Sequence, residues 1–213
     1  RGDNRGMPEL PEVETIRRDL EPLVVGRRVE SVDVDEGTLR LLAGATLDAV
    51  RANLVGRTFT SIGRRGKYLL FGLDEGRVLV VHLRMTGRLV WRERAAPPEP
   101  YQRAVIALDG GHDLRWCDLR KFGTWELRES ADEVTSKLGP EPIDEGLTER
   151  QFRDVLAGRT APIKALLLDQ RRFAGLGNIY VDEALFAARI RPDAPAGALS
   201  RPAIRRLFNS CRL

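Results

Sequence analysis

From residue 11 onward the apolar positions return at helical spacing. Val13, Ile16, Leu20, Leu23 and Val24 fall on one face and Gly26 follows as a stop, so the pattern predicts an amphipathic helix. The period then shortens. Short apolar runs occupy positions 29–34, 68–71, 78–83, 89–91, 104–108 and 124–127, with turns such as Asp74-Glu-Gly76 and Asp109-Gly-Gly111 between them. That spacing predicts an antiparallel sandwich or barrel. A short helix near 46–54 interrupts it, and Pro97-Pro-Glu-Pro100 reads as a loop. After about residue 129 the pattern returns to helices. Thr148 is a candidate N-cap with Gln151 at the capping-box position, and its helix runs to Leu156 ahead of Gly158. Further helices are predicted at 163–168 and 179–188, separated by Phe173-Ala-Gly-Leu-Gly177, and Ser200 opens a last one through Leu207. The expected class is α+β. It comprises a disordered extension (1–6), an antiparallel β-sandwich domain with flanking helices (7–128) and a helical domain (129–213).

Composition narrows the classes. The chain has 213 residues, enough for one large domain or two small ones with a real core. No apolar run reaches the roughly 18 residues of a membrane span, and nothing near the start resembles a signal peptide. The first residue is Arg, not Met, so the chain is expected to be a fragment or a processed product. Cys117 and Cys211 are the two cysteines, too few for a disulfide framework, and neither lies in a CxxC pair. With only His82 and His112 beside them, no structural metal is expected, and a reducing, cytosolic setting is. Basic residues outnumber acidic ones 35 to 31, and all but Lys67, Lys121, Lys137 and Lys164 are Arg. Guanidinium forks match phosphate oxygens, although a GC-rich genome gives the same bias. Distribution says more: residues 51–128 carry a net +7 and 171–213 a net +5, against −4 in each of the other two stretches. Two basic blocks on an otherwise acidic chain suggest two surfaces for one polyanion.

Three segments carry candidate chemistry. Met7-Pro-Glu-Leu-Pro-Glu-Val-Glu-Thr15 crowds carboxylates at a helix start, where acidic groups and Pro at the first position also serve the helix alone. Gly175-Leu-Gly-Asn-Ile-Tyr180 would let the backbone turn tightly and present a helix N-terminus to an anion; an ordinary glycine-capped hairpin reads the same. The third is a set of points: Arg64-Arg-Gly-Lys67, His82-Leu-Arg-Met-Thr-Gly87 and Asp118-Leu-Arg-Lys-Phe-Gly123. Met85 or Phe122 beside Arg could open a duplex by filling a base stack, although read alone each is expected in a core before it is expected in a wedge.

In order and spacing these segments resemble the formamidopyrimidine-DNA glycosylase family, from Met7 to near the C-terminus, most closely in residues 7–15 and 169–186. The resemblance implies a β-sandwich followed by a helix–two-turns–helix domain, with DNA in the cleft between. It implies excision of 8-oxoguanine and formamidopyrimidines from bacterial DNA with strand cleavage at the abasic site. The implied partner is double-stranded DNA carrying oxidised bases or abasic sites, bound by a monomer with no membrane contact. Pro8 is the implied nucleophile through its amine, Glu9 the proton shuttle, and Lys67 the holder of phosphates at the lesion. Met85, Arg120 and Phe122 would fill the space of the everted nucleotide, with Arg120 on the opposite cytosine. Gly175, Gly177 and Asn178 would clamp phosphate, with Tyr180 packed nearby.

Three departures accompany the resemblance. Residues precede Pro8, so its nitrogen is an amide in this sequence and Schiff-base chemistry is not expected of it as written. The sequence ends at Leu213, before the family's lesion-capping loop and four-Cys zinc hairpin, so no cofactor is expected in this chain. Tyr101-Gln-Arg103 stands where the family often has a His-containing segment, and Arg103 would substitute as a phosphate contact. The alternatives are a catalytically silent binder of damaged DNA and a glycosylase in which Glu9 activates water.

Overall fold

The computed structural model describes residues 8–212. The extension predicted to be disordered, residues 1–6, lies outside them, as does Met7. The chain divides into two compact units, with the boundary between Ser136 and Lys137.

The first unit opens with helix α1 (Leu10–Val24). Leu10, Val13, Leu20 and Val24 bury its apolar stripe. Leu23, predicted on the same face, is instead 38% exposed. It sits at the margin of the stripe, beyond Ile16, which packs only partly. Strand β1 (Val29–Val34), a 3-10 segment (Glu36–Leu42) and α2 (Leu47–Leu54) follow. Then come β2 (Phe59–Arg65), β3 (Tyr68–Leu73), β4 (Val78–His82), β5 (Gly87–Glu93), β6 (Gln102–Leu108), β7 (His112–Asp118) and β8 (Thr124–Arg128). Two antiparallel sheets form, in the orders β1-β6-β7-β5 and β2-β3-β4-β8. Their facing side chains, among them Phe59, Phe71, Trp116 and Trp125, make one apolar core. Trp116 and Trp125 meet edge to face, 5.9 Å between centroids, a favourable quadrupole arrangement.

Neither β2 nor β7 was among the predicted strands. β7 is buried almost throughout although it carries Asp113, Arg115 and Asp118. Its charges are engaged internally: Arg115 donates through its terminal nitrogens to Asp113 at 3.2 Å and to the carbonyls of Glu93, Arg94, Ala96 and Pro97. The short helix α3 (Asp132–Thr135) ends this unit.

The second unit comprises α4 (Glu149–Leu156), α5 (Ile163–Leu168), α6 (Asn178–Ala188) and α7 (Arg201–Ser210) around a separate core centred on Phe152, Phe173, Leu185 and Leu207. Thr148 and Gln151 form the predicted capping box, and Ser200 caps α7. No helix among the described residues is long and apolar enough to cross a membrane.

Candidate active site and DNA-binding elements

Pro8 and Glu9 lead directly into α1. The Glu9 N–H donates to Glu12 Oε2 at 3.1 Å and the Glu9 carbonyl accepts from Val13 N at 3.0 Å, so the helix start fixes both residues. Pro8 is half-buried and the Glu9 side chain is buried. Lys67 joins them from the tip of the β2–β3 hairpin, where Arg65 pairs with Tyr68 and Gly66 adopts φ +57°. Its ammonium is buried, which lowers its pKa, while the nearby charges of Glu9 and Glu12 act to raise it. The structure therefore gathers Glu9 and Lys67, named from sequence, around the α1 start that carries Pro8.

Residues quoted within the sequence motifs but given no role there hold this arrangement. Arg64 donates to Glu14 Oε2 at 3.1 Å and to the Gly66 carbonyl at 2.9 Å, tying the Lys67 hairpin to α1. Three guanidiniums, Arg17 first, hold the Glu14 carboxyl down to a pKa of about 2. His82 at the end of β4 is buried against Tyr68, 4.7 Å between ring centroids. Burial above all, with the charges of Arg84 and Lys67, pushes its pKa down to about 3. It is neutral at physiological pH, and because Nδ1 accepts from Arg84 N at 2.9 Å, its proton is on Nε2.

A second cluster surrounds Asp118, the last residue of β7. Its buried carboxylate accepts from Thr86 Oγ1, from Arg120 N at 3.1 Å and from Gly123 N at 3.0 Å. Arg120 N also donates to Thr86 Oγ1 at 3.0 Å. The β4–β5 turn carrying Met85 and the β7–β8 loop carrying Arg120 and Phe122 are thus fastened to one anion. Beneath them lies Trp116. A β-carbon at Gly87 would come within 2.6 Å of its ring and one at Gly123 within 2.1 Å, so both loops need glycine to lie flat on the indole. With the loops seated there, Met85 is 40% and Phe122 37% exposed, and the core placement that sequence left open for both is excluded. The Arg120 guanidinium lies 5.1 Å from the Phe122 ring centroid. Arg103 donates to the Asp118 carbonyl at 3.3 Å and pairs with Asp35 at 3.4 Å.

In the second unit, Gln170 orders the glycine turn. Its amide donates to the carbonyls of Leu168 and Leu176 at 3.0 and 2.8 Å, and its carbonyl accepts from Gly175 N at 3.0 Å. Gly175 stands at φ +90° and Gly177 is the N-cap of α6, whose first turn carries no acidic residue. Asn178 is exposed at that helix start and Tyr180 half-buried. An anion there would meet no competing carboxylate on the same turn. Cys211 is buried in the helical core, which pushes its thiol up to about 12, and among the described residues no three His, Cys, Asp or Glu side chains gather to hold a metal ion.

The chain matches the formamidopyrimidine-DNA glycosylase N-terminal domain over residues 7–125 and the H2TH domain of the same enzymes over residues 138–212. It is 46% identical over 205 residues to formamidopyrimidine-DNA glycosylase of Moorella thermoacetica, covering 94% of this chain and 74% of the relative. With the enzyme of Heliobacterium modesticaldum it shares 46% identity over 215 residues, 97% of this chain and 76% of the relative. Among solved structures, Lactococcus lactis formamidopyrimidine-DNA glycosylase bound to DNA containing an abasic site superposes with a TM-score of 0.88. That match has 39% identity and covers 96% of this chain and 79% of the other. The chain belongs to the formamidopyrimidine-DNA glycosylase family.

Proposed function

We propose that this chain removes oxidised purines, 8-oxoguanine and formamidopyrimidines, from duplex DNA and cleaves the strand at the resulting abasic site. As a family member it is a DNA glycosylase of base-excision repair, and related enzymes have been solved on DNA containing an abasic site or an oxidised pyrimidine. The observation that carries the reading is the meeting of Glu9 and buried Lys67 at the start of α1, directly after Pro8.

In this reading the Pro8 amine attacks C1′ of the damaged nucleoside. The glycosidic bond breaks, its electron pair leaving with the base, which takes up a proton. Glu9 protonates the sugar oxygen as the ring opens, leaving an iminium between Pro8 and C1′. Loss of a C2′ proton then expels the 3′ phosphate. Lys67 holds the phosphates at the lesion. Met85, Arg120 and Phe122 occupy the space left by the everted nucleotide, with Arg120 on the opposite base. Residues 7–128 supply this chemistry. Residues 129–213 hold the backbone through Gly175, Gly177 and Asn178, with Tyr180 in support.

The nucleophile must be a free secondary amine, and in the sequence given Met7 acylates Pro8. Borohydride trapping on an abasic duplex tests this with two chains, one as given and one beginning at Pro8. An adduct only in the second supports the mechanism. Base release without any adduct favours water activated by Glu9, and salt-dependent binding with neither favours a silent binder of damaged DNA.

A further inference from the structure

The 3-10 segment Glu36–Leu42 is absent from the sequence reading, and it packs on the loop that carries Phe122. Lys121 Nζ donates to the Gly37 carbonyl at 3.1 Å, fastening the segment to that loop. The Arg40 guanidinium then lies 5.5 Å from the Phe122 ring centroid, so Phe122 is approached by two cations, Arg40 and Arg120. Among the described residues no carboxylate pairs with Arg40. The Asp35 carboxylate is engaged by Gly37 N and by Arg103, and Glu36 on the same turn forms no ion pair with Arg40. Arg40 is exposed, as is Leu39 beside it.

The surroundings point the same way. Leu39, Met85, Tyr101, Leu119 and Phe122 are all exposed apolar side chains on segments tied together through Asp118, Asp35 and Lys121. An apolar surface edged by unpaired guanidiniums suits stacked bases flanked by phosphates. A cation–π contact at a partly exposed ring is weak, so Arg40 can exchange it for another partner at small cost. On the glycosylase reading above, a Phe122 ring inserted into the base stack would leave the Arg40 guanidinium free for a phosphate.

We propose that Arg40 is a DNA-binding residue that holds a backbone phosphate beside the gap filled by Phe122. The proposal rests on the glycosylase reading above. Its test is the salt dependence of affinity, measured with the full chain on a duplex containing a tetrahydrofuran abasic analogue and on the same duplex undamaged. Arg40→Gln is expected to weaken both by about three- to tenfold at low salt and to lower the slope of log Kd against log salt by about one. Arg40→Lys restores most of the slope, because it keeps the charge. If Arg40 only props the Phe122 ring, Arg40→Gln leaves the slope unchanged and weakens the damaged duplex alone; that result overturns the proposal. Unchanged affinity on both duplexes, with an unchanged melting temperature, overturns it as well. Salt-independent binding by the parent chain would overturn this proposal together with the DNA-repair reading. A normal parent slope confines any failure to Arg40.

Discussion

Replacing Asp118 separates positioning from packing. The carboxylate satisfies a hydroxyl and two backbone N–H groups, and it is 1% exposed. Hydrogen bonds to a charged acceptor contribute about 1.5–3 kcal/mol each and do not add fully, so Asp118→Ala is expected to cost about 3–5 kcal/mol. The isosteric Asp118→Asn keeps one oxygen for Thr86 and Arg120 N but turns an NH2 toward the Gly123 N–H. It should cost about 1.5–3 kcal/mol, concentrated on the Phe122 side of the loop. Trp91, Trp116 and Trp125 all belong to the first unit, so urea unfolding followed by tryptophan fluorescence reads that unit alone. Where Asp118→Asn remains folded, its affinity for an abasic-analogue duplex should fall about tenfold more than its affinity for undamaged duplex, equivalent to about 1.4 kcal/mol of lost wedge alignment. Asn and Ala variants within about 0.5 kcal/mol of the parent, with lesion preference intact, would refute the idea that this anion aligns Met85, Arg120 and Phe122.

Phe122→Ala should weaken engagement of the damaged duplex more than that of the intact one, read by 2-aminopurine fluorescence beside the lesion; equal losses would refute a stacking role. Gln170→Ala should loosen the glycine turn and weaken binding to all duplexes alike, since phosphate contacts carry no base information; a loss restricted to lesions would count against it. His82 titrates near 3 when folded against about 6.5 when unfolded, so protons favour the unfolded chain. Its contribution to stability is complete above about pH 6.5 and falls by about 1.4 kcal/mol per pH unit below it, until the folded group itself titrates. Equilibrium unfolding between pH 7 and pH 4 should show this slope in the parent and lose it in His82→Phe. Glu14 has the usual carboxylate sign: its contribution is present above about pH 4.5 and lost as pH falls toward 2. Solvent screening holds it to about 1–2 kcal/mol, and acid unfolding of Glu14→Gln should lack that component.

The parts of the fold written in local chemistry were legible in the sequence. The Thr148 and Ser200 caps and the strands with uninterrupted apolar runs follow directly from residue type and spacing. β7 did not, because Asp113, Arg115 and Asp118 read as loop residues until their partners on other strands and loops are known. β2 hides for another reason: it is an edge strand with few inward side chains. The segments bearing Pro8, Glu9, Lys67, Met85, Arg120 and Phe122 were found through motifs. Glu14, Arg64, Thr86, Asp118 and Gln170 lie inside the segments read as motifs but were given no role of their own, because Arg64 meets Glu14 and Thr86 meets Asp118 only across 50 and 32 residues of chain. Gln170 stood inside a quoted motif, yet only the fold shows its amide closing the glycine turn. Spacing likewise gave no means of telling that Met85 and Phe122 face outward, which the Trp116 floor decides.

That indole floor divides the freedom to vary. Residues 87 and 123 admit no β-carbon and residue 118 must accept three donors, whereas the tips at 85 and 122 project beyond the contact surface. A library randomised at all five positions and selected only for folding should return glycine, glycine and aspartate at the base while the tips drift. Selection for excision of a chosen lesion should then act on the tips alone. The fold thus separates an inflexible mount from exchangeable tips; with Met85 and Phe122 in the proposed role, damage preference would change here without re-solving the folding problem.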